Sequence, residues 1–249
     1  MLGTVLDVVF PRRCAGCADG PWPFCPRCRD QLVPLSPPWC RRCGRPAEML
    51  VDGCADCPPP PVSSARSPFL YDGPARQAVH RLKFSGWRDV GSALASAIAA
   101  CEDLPAADVI TWVPLARRRL SDRGYDQARV LASGLGRRLH MPVRRLLRRT
   151  LATDPQARRR GADRRAAMAG AFAPVRPSPR RVLLVDDVLT TGATVAACAE
   201  ALAASGAREV HVATAARSFH APALRARRDR AYPREGFRSG LWLPGDHPR

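Results

Sequence analysis

Two sets of residues in this chain have types and spacings that could do chemistry. The first is Asp186-Asp187 with Thr190, Thr191, Gly192, Ala193 and Thr194, in the run R-V-L-L-V-D-D-V-L-T-T-G-A-T that starts at Arg181. Adjacent carboxylates repel phosphate but suit sugar hydroxyls or a hard cation such as Mg²⁺. The threonine hydroxyls add donors for an anion, and Gly192 allows close backbone approach. An anion group beside a group for diol and metal describes a phosphorylated ribose. The second set is eight cysteines in four C-x-x-C pairs: Cys14/Cys17, Cys25/Cys28, Cys40/Cys43 and Cys54/Cys57. Each pair presents two thiolates to one ion, and two pairs complete a tetrahedral Cys₄ site with no open position, which is structural and not catalytic. Redox pairs, or a module that has lost its metal, are the competing readings.

The elements that must position these residues follow from the local pattern. Val182 to Val185 is an unbroken apolar run, as expected of a buried parallel strand. The segment after Thr194 is rich in helix formers and stops at Gly206, a C′ glycine. The loop Thr190 to Thr194 therefore arrives at a helix N-terminus, where unpaired N–H groups and the dipole favour a phosphate. An ordinary strand, turn and Thr-capped helix is the plain alternative. In the cysteine segment, short loops favour sequential pairing into two ribbons through loop-closure entropy, with crossed pairings left open. That segment has few large apolar residues, so metal binding would have to supply its folding energy, on the order of 10–16 kcal/mol per structural zinc.

At 249 residues and 46% hydrophobic content the chain is globular, with room for one sizeable core and an accessory module. Net charge is +18, carried almost wholly by arginine, with Lys83 the single lysine. Such a bias can arise from GC-rich coding, so a solvated basic surface competes with nucleic-acid binding. No stretch approaches the roughly 20 apolar residues of a membrane helix. The first ten residues lack a basic region and carry Asp7, unlike a signal peptide. A cytoplasmic location is the expectation, and there ten cysteines read as metal ligands before disulfides.

Along the chain, Leu2 to Phe10 shows a helical apolar stripe, and Pro58 to Pro61 reads as a stiff linker and domain boundary. Phe69 to Tyr71 is a short strand, and Pro74 opens a helix that carries Val79 and Leu82 and ends near Lys83. Spacing alone leaves Lys83 either reaching a phosphate or solvated. A second helix covers about 89–100, a strand 107–115, a basic loop Arg117 to Arg119 and Arg123, and a helix about 126–139. Residues 148–169 form a long basic loop. Glu209 to Ala215 is a buried strand in which His211 reads as a core histidine, and Cys101 and Cys198 read as small core residues. From Ala221 onward an Arg-, Pro- and Gly-rich tail is expected to be disordered.

The run V-L-L-V-D-D-V-L-T-T-G-A-T resembles the phosphoribosyl-pyrophosphate (PRPP) signature of type I phosphoribosyltransferases. With the cysteine pairs, K-F-S-G and P-L-A-R-R-R-L-S-D-R-G-Y-D-Q-A, the chain over about 1–218 resembles the ComF family. The resemblance implies an α/β fold: a type I phosphoribosyltransferase domain with a Rossmann-like parallel sheet (62–220) after a small N-terminal helix and double zinc ribbon (1–61), then the basic tail (221–249). It implies that Asp186 and Asp187 bind the ribose hydroxyls, Thr190 to Thr194 the 5′-phosphate, and arginines such as Arg123 the pyrophosphate. It also implies a lid from 148–169, with Arg158 to Arg160 and Arg164 as its cations. Asp126 stands where the family has Asn, Ala167 replaces another Asn, and Thr190 stands where purine phosphoribosyltransferases place an Asp, which argues against purine salvage. Three outputs follow: Mg²⁺-assisted phosphoribosyl transfer to an unknown acceptor, PRPP sensing without turnover, and single-stranded DNA binding beside DNA-uptake and helicase machinery.

Overall fold

The computed structural model describes residues 12–101, 103–150 and 170–219. The helix expected over Leu2 to Phe10, most of the 148–169 loop and the tail beyond 220 lie outside the described residues.

The centre is a parallel sheet in the order β1 (Val62–Arg66), β7 (Glu209–Arg217), β6 (Arg181–Leu189), β3 (Val109–Trp112), with β2 (Phe69–Leu70) also on β7. Side chains of a strand alternate between faces, and here the alternation sorts one apolar run into two cores. Leu183 and Val185 join Ile110, Ala213 and Ala215 on the face covered by α2 (Gly73–Phe84), α3 (Asp89–Ala99) and α5 (Gln127–Leu139). Val182 and Leu184 join Val109, Val210 and Val212 under α6 (Ala193–Ala204) and the antiparallel pair β4 (Leu147–Arg149) and β5 (Phe172–Pro174). Burial on both faces is why β6 reads as continuous hydrophobicity.

Several boundaries differ from the sequence reading. The strand expected over 107–115 spans only Val109–Trp112, because the ladder with β6 ends at Val185 opposite Trp112. Two further differences have clear causes. The expected basic loop is a short helix, α4 (Arg117–Arg123), because arginine is a good helix former and Gly124 closes the turn at φ 70°. Strand β6 runs four residues beyond Val185, because β7 is equally long and the ladder continues to Leu189 opposite Arg217.

The cysteines form two clusters, Cys14/Cys17/Cys25/Cys28 and Cys40/Cys43/Cys54/Cys57, each with its four sulfurs within 4.8 Å of one another. Pairing is sequential, as loop closure favours. Sulfurs at about 2.3 Å from a tetrahedral zinc lie about 3.8 Å apart. The contacts Cys17–Cys25 at 3.7 Å, Cys40–Cys57 at 3.6 Å and Cys54–Cys57 at 3.8 Å fit that figure. Backbone N–H groups of Gly16 and Cys25 donate to the Cys14 sulfur at 3.3 Å. The residues present therefore fit structural zinc.

Metal is not the only support for the ribbons, contrary to the reading from composition. Phe24, Ala15 and three cysteines of the first ribbon belong to the same buried cluster as Val79, Leu82 and Leu94. Arg81 of α2 donates to the carbonyl oxygens of Ala15, at 2.7 Å, and Gly16. The second ribbon is held by Arg217 at the end of β7, which donates to the carbonyls of Cys43 and Asp56. Arg66 donates to the Arg41 carbonyl at 2.8 Å and lies over the Trp39 ring. The helix α1 (Pro26–Gln31) completes the first ribbon behind Cys25. In the proline segment Pro58 is buried, while Pro60 and Pro61 are exposed. Arg42 donates to the carbonyls of Pro58 and Val62 at 3.1 and 3.2 Å.

The purified protein is expected to carry two zinc ions per chain, one for each cluster. Cys17→Ser and Cys54→Ser should each remove one and leave the other, as read by metal analysis of the folded protein. The double variant Cys17→Ser/Cys25→Ser should also keep one zinc, because both ligands serve the same cluster; loss of both from it would contradict sequential pairing.

Candidate functional site

Strand parity decides how the two carboxylates are used. Asp187 follows Leu183 and Val185 onto the face of α2, where Lys83 Nζ pairs with its Oδ1 at 2.6 Å. Both side chains are mostly buried, at 21% and 15% exposure, so the contact is neither a solvated helix end nor a free cation awaiting a phosphate. Asp186 follows Val182 and Leu184 onto the other face, within electrostatic reach of Cys198 on α6 and Arg149 on β4. Its Oδ1 accepts the Asp187 backbone N–H at 2.8 Å. Burial, and then the charge of Asp187, push the Asp186 carboxyl up to about 8, so it holds a proton over most of the neutral range. Cys198 is buried, its thiol raised well above the usual range by desolvation, and is an inert core residue.

The loop after β6 turns at Gly192, with φ 79°, and opens α6. The first N–H groups of α6 have no carbonyl one turn back, so this end presents donors to an anion. The Thr191 hydroxyl lies 3.5 Å from the Ala193 N–H, and Thr190 is exposed. Gly192 is required twice over: its φ is left-handed, and a Cβ there would lie 3.0 Å from Pro58 Cβ and 3.1 Å from Pro58 Cα. The second ribbon's exit thus abuts the loop that contains Thr190 to Thr194.

Arginines approach from two sides. Arg123, the last residue of α4, lies over the Phe84 ring at 4.6 Å. Burial and then the charge of Arg119 lower its pKa, and Asp187 opposes them. Arg149 lies 5.2 Å over the Phe172 ring. It too is lowered by burial and Arg119, with the charge of Asp186 among the opposing groups. Arg117 and Arg118 are exposed on α4. The lid candidates Arg158 to Arg160 and Arg164 lie outside the described residues.

Asp186, Asp187, the 190–194 loop and Arg123 therefore converge, together with Lys83 and Arg149, whose places the sequence left open. The signal for Lys83 was its rarity: one lysine among 40 basic residues, at the end of a helix rich in apolar residues. Asp126 has a different use from the one its family position suggested. It caps α5, accepting from the N–H groups of Ala128 and Arg129 at 3.1 and 3.3 Å and from Leu115 at 3.1 Å. Those bonds fix the chain after β3. His211 is a satisfied core histidine, bonded to the Ser64 hydroxyl at 2.8 Å. Cys101 is half-buried at the end of α3. No helix among the described residues is long and apolar enough to cross a membrane.

The raised pKa of Asp186 sets a pH dependence. The folded state binds this proton more tightly than the unfolded chain, whose carboxyl titrates near 4, so its contribution to stability declines as pH rises through the folded value of about 8. Asp186→Asn keeps the oxygen that accepts the Asp187 N–H but cannot ionise. Between about pH 5 and about pH 8 the variant should gain stability relative to the parent in urea denaturation, with no further change above that range. A constant difference across that range would contradict the assignment.

Known proteins show the same combination of parts. Residues 5–58 match the double zinc ribbon domain and residues 150–242 the phosphoribosyl transferase domain. The DNA utilization protein YhgH of Escherichia coli O157:H7 is 34% identical over 207 residues, covering 78% of this chain and 90% of that protein. Competence protein F of Haemophilus influenzae is 30% identical over 203 residues, 76% of this chain and 88% of its own. Competence protein ComFC of Bacillus subtilis is 28% identical over 195 residues, 73% and 78% of the two chains. Identity that extends along nearly the whole of YhgH, ribbons and sheet together, makes this chain a member of the ComF family, with a type I phosphoribosyltransferase domain behind a double zinc ribbon.

Proposed function

We propose that the chain binds PRPP across the end of β6, with its 5′-phosphate at the 190–194 loop, its ribose at Asp186 and Asp187, and its pyrophosphate toward Lys83, Arg119 and Arg123. The observation that carries this reading is the continuous path from two carboxylates on one strand, through Gly192, to an N-terminus of α6 that no side chain caps. A phosphorylated sugar with a second anionic group matches that order of donors and acceptors.

The chain's own groups suggest how the ligand would be received. The ribose hydroxyls donate to Asp187, which then needs Lys83 less, and the ammonium becomes available to a pyrophosphate oxygen. Arg119 and Arg123 stabilise the charge that grows on pyrophosphate as its bond to the anomeric carbon breaks. Asp186, carrying a proton, can donate to a sugar oxygen where a second carboxylate would only repel Asp187. Mg²⁺ would supply further charge neutralisation, and the ionised oxygens of Asp187 are the hard donors that suit it. Whether the phosphoribosyl group then passes to an acceptor or the bound state is itself the signal is the choice between transferase and sensor. The names of the relatives, DNA utilization and competence, support a setting in DNA uptake, with single-stranded DNA and the uptake or helicase machinery as partners.

Calorimetric titration of PRPP into the zinc-loaded protein, with and without Mg²⁺, tests the reading. Saturable binding is expected, at least about tenfold weaker in Asp187→Asn and also weakened in Lys83→Met, where an uncompensated carboxylate remains. Pyrophosphate release during an acceptor screen would separate transfer from sensing. Unaltered affinity in Asp187→Asn would overturn the placement of the ribose.

A further inference from the structure

A groove of about 720 Å³ lies on the flank of α5, and none of its lining residues belongs to the acid pair or the 190–194 loop. Four arginines line it: Arg88 from the start of α3, Arg129 and Arg137 from α5, and Arg145 from the segment before β4. No ion pair with a carboxylate is found for any of the four among the described residues. The one carboxylate in the lining, Asp126, is committed to the N–H groups of Leu115, Ala128 and Arg129.

Three of the four guanidinium groups are also held in place. Arg88 lies 4.7 Å over the Tyr125 ring and donates to the Gly124 carbonyl at 3.3 Å. Arg129 lies 5.8 Å over the Trp112 ring. Arg145 donates through Nε to the Leu147 carbonyl at 3.3 Å. A guanidinium plane stacked on a ring keeps its N–H edge free for an anion and loses little entropy on binding one. Between these cations the floor is apolar, formed by Pro114, Leu115 and Val130. Concentrated positive charge without partners, fixed at the rim of an apolar floor, is complementary to a planar apolar body that carries phosphate. The volume falls in the range of about 300–1,000 Å³ that holds one small organic ligand.

We propose that this groove is a second ligand site, separate from the acid pair, that takes a nucleotide: phosphate on the Arg88, Arg129, Arg137 and Arg145 edges, and base against the floor at Pro114, Leu115 and Val130. A free nucleotide and one nucleotide of a single strand present the same chemistry. The site does not depend on PRPP binding at β6, since the two share no residue.

The test uses the zinc-loaded full chain, adenosine monophosphate and a short fluorescein-labelled oligothymidylate as probes, and two double variants of equal charge loss. Arg129→Ser/Arg137→Ser removes groove cations, and Arg180→Ser/Arg208→Ser removes exposed ones outside the lining. Zinc content and thermal unfolding report that both variants fold. The groove variant should bind at least about tenfold more weakly than the parent while the control keeps its affinity. Saturable binding of the mononucleotide, displacing the oligonucleotide, identifies a free nucleotide as the source; binding of the oligonucleotide alone identifies the strand. Failure of the parent to bind either probe, or equal behaviour of the two variants, overturns the site.

Discussion

A carboxylate carried toward the interior must meet a cation, collect backbone donors or give up its charge, and the two acids of β6 take the first and the last of these routes. Asp187 meets Lys83 across the face of α2, and Asp186, against α6 on the opposite face, keeps its proton. Much of the surrounding architecture follows from that division. Helix α2 has to present its last turn to β6, and Arg81, two residues before Lys83, ties the same turn to the first ribbon through the carbonyls of Ala15 and Gly16. The ribbon therefore shares a core with the helix that supplies the counter-ion.

The second ribbon bears on the other half of the site. Arg217 closes β7 one strand away from the acid pair and ends on two carbonyls of the second cysteine cluster. Pro58, leaving that cluster, fills the space where a side chain at residue 192 would be. A ribbon fixed by zinc can act as a wall for the loop, whereas a flexible linker could not. The sheet, the loop and both metal clusters thus form one mechanical unit, although their sequences look like separate modules.

The legible part of the chain was the part governed by local rules. The apolar run 182–185, the four cysteine pairs and the glycine stop at Gly206 rest on strand burial, ligand geometry and capping, and each appears where its pattern put it. The type I phosphoribosyltransferase fold was legible through its loop residues. What stayed illegible depends on partners distant in sequence. The extension of β6 through both acids needed the length of β7. Lys83 looked ambiguous because a lysine at a helix end is ordinary until Asp187, far along the chain, is brought against it. Arg217 and Arg66 carried no signal in the sequence, yet both are buried and hold the second ribbon by donating to carbonyls.

Asp126 illustrates how chemistry at one position can be reassigned by geometry. As a charge in place of an amide it suggested an altered ligand pocket. In the structure its carboxylate faces three backbone N–H groups. Burial raises its pKa while those donors oppose the shift, so the carboxylate is stabilised by the backbone and needs no counter-ion. An asparagine offers one acceptor oxygen and would leave part of that set unsatisfied. The aspartate thus makes the turn after β3 stiffer, and that turn separates the strand from α4, which carries Arg119 and Arg123. A residue that touches neither carboxylate nor loop can in this way fix where the cations of the site stand.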